Sequence, residues 1–342
     1  MDVRRAVVIE MNEVPRRVIH DVAAMGRAPF LQQLLDRDQV VETVVGEQLP
    51  REMYPSQTWA SFNTGVPWND HQIWWYGDPK PAEFPLYWQV AARSGLSVGL
   101  VNTLHSSPLS VQCADGDYRF VIPDCFAIDA DTMPDRYEPF QELNLRLTQA
   151  NRRKSDFRSV RSELTPGLKA LAGLGLGVPT MTRIGRLAAE VATGRVPKER
   201  VRAAQFLILG DVFLRLLTEE APDLAVMFTN HVAAAMHRYW YAMYPDDFEA
   251  EHYPVDWVAR HRDEIPAAVE MLDSFLGRLN QWCRHNERAL VVVSSMGQGP
   301  SRDLNADETH DVVIVDPDAF LRAVGVDVDR PPLVRGSMAP NL

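Results

Sequence analysis

Short apolar runs alternate along the chain with longer segments whose apolar residues recur every three or four positions. The first run, residues 5–11, is rich in Val and Ile and too short for a helix, so it predicts a buried parallel strand. Pro15 follows where a helix can start, and Val18, Val22 and Met25 recur at helical spacing. A strand followed by a helix is how a parallel α/β sheet begins. The same pattern predicts strands at residues 40–45, 97–102, 118–122, 224–228, 290–293 and 312–315. It predicts helices at 81–93, ended by Gly95, at about 230–244, stopping before Pro245, and at 263–286.

Between about residues 135 and 205, Val, Ile and Phe thin out while Arg, Leu and Ala rise. Leu143, Leu147 and Ala150 fall at helical spacing. Leu168, Leu171 and Leu174 open a segment that glycines then break, and residues 184–191 suggest another helix. The expected fold is α/β, with a central, mostly parallel sheet flanked by helices. Residues 1–134 and 206–330 form one domain, 135–205 a helical insertion or cap, and 331–342 an irregular tail.

Composition narrows the function classes. The chain has 342 residues, 46% of them apolar, which is enough for one large core or two smaller ones. Its formal charge of -11 disfavours nucleic-acid backbones and anionic membranes as partners. A local site can still oppose that field, so a small anionic substrate stays open. The three cysteines fit neither a zinc pattern nor a disulfide framework. The first apolar run is broken by Glu10, too soon for a signal peptide, and no stretch approaches the ~18 apolar residues of a membrane span. A cytoplasmic protein is expected, with the insert serving as a cap or as a homodimer face.

In parallel sheets ligands bind beyond the carboxyl ends of the strands. Three predicted strand ends carry polar residues that a strand does not need: Glu10-Met11-Asn12-Glu13, Thr229-Asn230-His231 and Ser294-Ser295-Met296-Gly297-Gln298. Each alone could be a helix cap. Asn230 and His237 lie seven residues apart, nearly on one helix face, with Ala233 and Ala234 between them. That pattern suits a helix lining a cavity. Trp59, Trp68, Trp74, Trp75 and Tyr76 form an aromatic cluster that either packs or, if exposed, stacks a flat ligand.

In order, these strand ends resemble the alkaline-phosphatase superfamily, in particular its type I phosphodiesterase and nucleotide-pyrophosphatase branch. The Asp-Gly strand end of that branch is matched by Val7-Val8-Ile9-Glu10-Met11-Asn12-Glu13. Its nucleophile segment is matched by residues 55–65, ending in Thr64-Gly65, followed by Pro67 and His71-Gln72-Ile73. Ala233 to His237, then Tyr239-Trp240, stands for its Asp-x-x-x-His helix; Ser294-Ser295-Met296-Gly297-Gln298 stands for Ser-Asp-His-Gly-Met, and His310 for the final His.

The resemblance implies two divalent ions that activate a nucleophile and clamp phosphoryl oxygens. Here one ion's positions read Ala233, His237 and His310, while the other's read Asn12, Ser295 and Met296. The second set offers no charge and a soft thioether, so at most one divalent ion is expected, zinc first. His237 and His310 would hold it, with His231, Glu13 or Glu10 as third ligand. The nucleophile position falls at Ser56, Gln57 or Thr58, with Thr58 first by residue type. The set Glu10, Asn12, Glu13, Asn230, His231 and Gln298 also resembles a divergent group within the superfamily, which implies a repurposed pocket.

Three functions follow. The first is a hydrolase or group-transfer enzyme on an anionic ester, a phosphoester or phosphodiester above all. The second is a non-catalytic relative that binds a ligand or partner. The third is a metal-independent acid–base enzyme using Glu10, Glu13 and the histidines. The sequence holds no formylglycine sulfatase motif and no Gly-rich phosphate loop after its first strand.

Overall fold

The computed structural model describes residues 5–37, 40–43, 54–76, 83–150, 174, 176–249, 253–300 and 316–326. The strands are β1 (Ala6–Met11), β2 (Ser97–Val101), β3 (Asp117–Ile122), β4 (Leu224–Thr229) and β5 (Ala289–Val293). The helices are α1 (Arg16–Ala24), α2 (Pro29–Leu35), α3 (Pro55–Thr64), α4 (Trp68–His71), α5 (Tyr87–Arg93), α6 (Leu109–Gln112) and α7 (Glu138–Ala150). They continue with α8 (Val178–Ala192), α9 (Ala204–Glu220), α10 (His231–Met243), α11 (Val255–His261), α12 (Glu264–His285) and α13 (Pro317–Ala323).

Among the described residues the strands form one parallel sheet in the order β3-β2-β4-β1-β5. Burial on both faces explains the near-continuous apolar runs of β1, β2 and β4, whereas the edge strands β3 and β5 are partly exposed. Val7, Ile9 and Met11 point into the larger core, which α1, α2, α9, α10 and α12 cover. Val8, on the opposite face, packs with Leu86, Trp88, Val98 and Leu100 under α5. Above that patch Trp59 of α3 packs on Leu104, Phe126 and Phe228. The fold is therefore a central parallel sheet flanked by helices.

Two glycines shape this layer. Gly95 adopts φ +85°, and the N–H groups of Gly95 and Leu96 bond back to Ala92 and Ala91, closing α5 with a left-handed turn. In β2 the ring of Phe120 lies across Gly99, where a Cβ would sit 2.2 Å from the ring.

Two expectations need correction. Residues 40–43 form no strand and are exposed, with Val41 at 82%, while Val44 and Val45 lie outside the described residues. The helix expected from Pro81 begins only at Tyr87. Pro85 accounts for this, because proline pushes the residue before it out of helical geometry. The strand expected at 312–315 and the tail at 331–342 lie outside the described residues, as does most of the segment around Leu168 and Leu171. No helix among the described residues is long and apolar enough to cross a membrane.

Candidate active site

Glu10 is the last residue of β1 but one, and it is fully buried. Its Oε1 accepts a hydrogen bond from the Tyr87 hydroxyl at 3.1 Å, and its Oε2 has no partner among the described residues. Removing a carboxylate from water favours the neutral acid, so burial pushes its pKa up to about 8, against the smaller opposing effect of Tyr87. Burial and the nearby Glu10 in turn hold the Tyr87 phenol well above its usual range.

Asn12 and Glu13 follow where the chain leaves the sheet. The Asn12 amide is committed on both sides: Nδ2 donates to Asn230 Oδ1 at 2.8 Å, and Oδ1 accepts from Trp59 Nε1 at 2.9 Å. It ties the end of β1 to the start of α10 and to α3. Glu13 turns with φ +54°, a left-handed conformation unfavourable for a residue with a Cβ. Its Oε2 lies 2.8 Å from His237 Nε2. Gln298 Nε2 lies 2.9 Å from His237 Nδ1 on the other side of the ring. With the amide donating to Nδ1, the ring proton sits on Nε2, the nitrogen nearer the carboxylate, although the pair is close without hydrogen-bond geometry and Glu13 Oε2 has no hydrogen-bond partner among the described residues. Glu13, His237 and Gln298 thus form one polar row drawn from β1, α10 and the segment after β5.

Of the three candidates in α3, Ser56 donates its hydroxyl to the Trp74 carbonyl at 2.6 Å, and Gln57 Oε1 accepts from the Tyr54 N–H at 3.1 Å. Thr58 Oγ1 instead lies 3.0 Å from Ser295 Oγ and 3.5 Å from Met296 Sδ, with the Pro55 carbonyl at 3.4 Å. Ser295, Met296 and Gln298 belong to one short segment, so the Thr58 hydroxyl and the Glu13–His237 row lie along the same edge of the sheet.

His231 is placed differently. Its ring stacks on Phe206 at 3.6 Å, Nδ1 lies 2.7 Å from Thr229 Oγ1, and Nε2 lies 3.0 Å from the Ala268 carbonyl. Burial pushes its pKa down to about 3, with the Ala268 bond opposing. Six residues separate His231 from His237, roughly 240° around the helix. Both nitrogens of His231 are engaged inside the protein, turned away from the edge where His237 stands. His310 lies outside the described residues.

The donors at the positions Asn12, Ser295 and Met296 are neutral and already engaged, Asn12 on both sides and Ser295 and Met296 by Thr58. Among the described residues no group of three or more His, Cys, Asp or Glu is arranged to hold a metal ion.

The aromatic cluster divides. Trp59 is fully buried, whereas Trp74 is 40% and Trp75 48% exposed beside the start of α3. Tyr87 and His105 join the site's surroundings without having been singled out in the sequence. Each contacts a residue far away in the chain, and neither sits in a recognisable spacing.

The chain is similar to two solved structures of phosphonoacetate hydrolase from Sinorhizobium meliloti 1021. The complex with phosphonoacetate has a TM-score of 0.44 at 16% identity, and the complex with phosphonoformate 0.43 at 18%. Each match covers 95% of this chain and 63% of the other, so the chain spans less than two thirds of their length. No family model and no curated protein matches the chain.

Proposed function

We propose that the chain is a hydrolase or group-transfer enzyme of alkaline-phosphatase-like design, acting on a small anionic ester and foremost a phosphoester or phosphodiester. The observation that carries this reading is the alignment of the Thr58–Ser295 hydroxyl pair with the Glu13–His237–Gln298 row along one sheet edge. The first turns of α3 and α10 open at the same edge. The positive ends of their dipoles favour an anion there despite the negative surface. Thr58 attacks the phosphorus or orients a water that does, the bond from phosphorus to the leaving ester oxygen breaks, and the Glu13 carboxyl group takes the nucleophile's proton and passes it to that leaving oxygen. If an ion is held, His237 and His310 would hold it with Glu13 or Glu10 as third ligand, and the chain holds at most one, zinc before manganese or magnesium. The proposed steps use only the side chains of this chain.

The test is turnover of a phosphodiester by the purified protein, with zinc, manganese or magnesium added and after chelation. Turnover lost in Thr58→Ala and His237→Ala supports the reading; no turnover of any ester under any of these conditions overturns it. Elemental analysis giving two ions per chain overturns the one-ion limit. Activity that persists in metal-free protein selects an acid–base variant of the same site.

One observation favours a second, non-catalytic reading. The Thr58 hydroxyl meets a hydroxyl, a thioether and a carbonyl, none of them a base. Tight binding of a phosphoester without turnover would select it.

A further inference from the structure

We propose that His105 is a positioning residue for the Thr58 hydroxyl, holding the first turn of α3 through a hydrogen bond from Nε2–H to the Ser56 carbonyl. The proposal rests on the reading of Thr58 as the ligand-facing hydroxyl. His105 Nε2 lies 2.9 Å from Ser56 O, and because a carbonyl can only accept, the ring proton is on Nε2. Ser56 is already inside α3, where the helix's own ladder uses its carbonyl. The extra donor therefore adds nothing to secondary structure. It ties the helix to the end of β2, two residues before Thr58.

That end of β2 is a firm anchor. Asn102 donates its backbone N–H to the Ile122 carbonyl at 2.7 Å and its Nδ2 to the Phe228 carbonyl at 3.2 Å. Thr103 Oγ1 reaches the Val226 carbonyl at 3.5 Å, and Ser106 Oγ closes the turn onto the Thr103 carbonyl at 2.6 Å. The loop is thus fastened to β3 and β4, and His105 is fully buried in it. One face of its ring meets Tyr76 at 5.7 Å, and Tyr76 stacks in turn on Phe126 at 4.2 Å. From the other side the Ser56 hydroxyl grips the Trp74 carbonyl. The start of α3 is held between these two contacts, and the Thr58–Ser295 distance depends on its position.

His105 also has φ +68°, a left-handed conformation that asparagine adopts more readily than glutamine. This separates the proposed role from a packing role. Glutamine places an N–H donor near the reach of histidine Nε2 but gains nothing in backbone fit. Asparagine suits the left-handed backbone but is too short to reach Ser56. A hydrogen-bond role ranks Gln above Asn; a backbone or packing role ranks Asn above Gln.

The experiment compares full-length wild type, His105→Gln and His105→Asn by two readouts. The first is the indole N–H resonance of Trp59, assigned by its loss in Trp59→Phe, which reports the seating of α3 on Asn12. It is expected to shift or broaden in His105→Asn and to return in His105→Gln. The second is turnover of bis(p-nitrophenyl) phosphate. In His105→Asn, kcat is expected to fall on the order of tenfold or more with KM within about twofold, and Gln should recover most of it. An unmoved Trp59 resonance in His105→Asn, or Asn ranking above Gln in either readout, overturns the proposal. If the wild type turns over no ester while the resonance responds as expected, the hydrolase reading falls and the anchoring of α3 by His105 stands.

Discussion

Glu13 and His237 meet across the carboxyl edge of the sheet, Oε2 to Nε2 at 2.8 Å, with the carboxylate buried and the imidazole half exposed. Glu13 holds its place on a left-handed backbone that costs a non-glycine residue about 1–2 kcal/mol. Such strain persists where the surrounding structure fixes it.

The first prediction follows from that strain. Asparagine tolerates the left-handed region and is neutral. Glu13→Asn should melt at the same or a higher temperature than wild type, while kcat/KM on a phosphodiester drops on the order of 100-fold or more. Calorimetry and steady-state kinetics on the same sample check both halves. Full activity in this variant would remove Glu13 from the chemistry.

The second concerns pH. Glu10 has its folded pKa raised to about 8 from 4.5, so the stability linked to its proton is complete below pH 4.5 and is lost as pH rises towards 8. His231, depressed to about 3 from 6.5, acts in the opposite sense: its contribution is complete above pH 6.5 and is lost as pH falls towards 3. The two slopes oppose each other between pH 4.5 and 6.5, and Glu10 alone acts between 6.5 and 8. Urea unfolding should show stability declining over that upper interval. Glu10→Gln, which mimics the neutral acid, should flatten the decline and be more stable than wild type at pH 8, by on the order of several kcal/mol at most. An unchanged slope in the variant would mean that Glu10 is ionised in the folded protein.

The third isolates the hydroxyl at residue 58. Thr58→Ser keeps an oxygen facing Ser295 and should retain activity within about tenfold, whereas Thr58→Ala should lose on the order of 100-fold or more in kcat/KM. Ser295→Ala should fall between the two. Equal activity in the serine and alanine variants would show that the hydroxyl plays no part.

The fourth tests the packing beneath the site. A methyl group at Gly99 would lie 2.2 to 2.6 Å from three atoms of the Phe120 ring. Gly99→Ala should destabilise the protein by about 1–3 kcal/mol in urea titrations. Adding Phe120→Leu should recover part of that loss, since the two positions share one space.

The strands could be read from sequence where burial on both faces left a short apolar run between turns, as in β1 and β4. Residues 40–43 share that chemistry but pair with no neighbouring strand, and a run alone does not reveal whether a partner exists. The polar strand ends were visible because parallel sheets expose them at one edge, and Asn12, Glu13, Thr58, His237, Ser295 and Gln298 are brought into contacts there. The environment of His231 was not visible. Its residue type suits a metal, but its faces are taken by Phe206, Thr229 and Ala268, two of them far off in the chain. Tyr87 on Glu10 and His105 on Ser56 are likewise contacts between distant segments with no periodic signature.

The order of the strands has a further consequence for how the molecule assembles. β1, near the amino terminus, pairs Ala6 with Leu224 on one side and with Ala289 on the other. Both neighbours emerge from the ribosome more than two hundred residues after β1, so this strand is enclosed long after it is made. Its apolar side chains must be shielded until then, and closure of such distant pairings makes for slow folding.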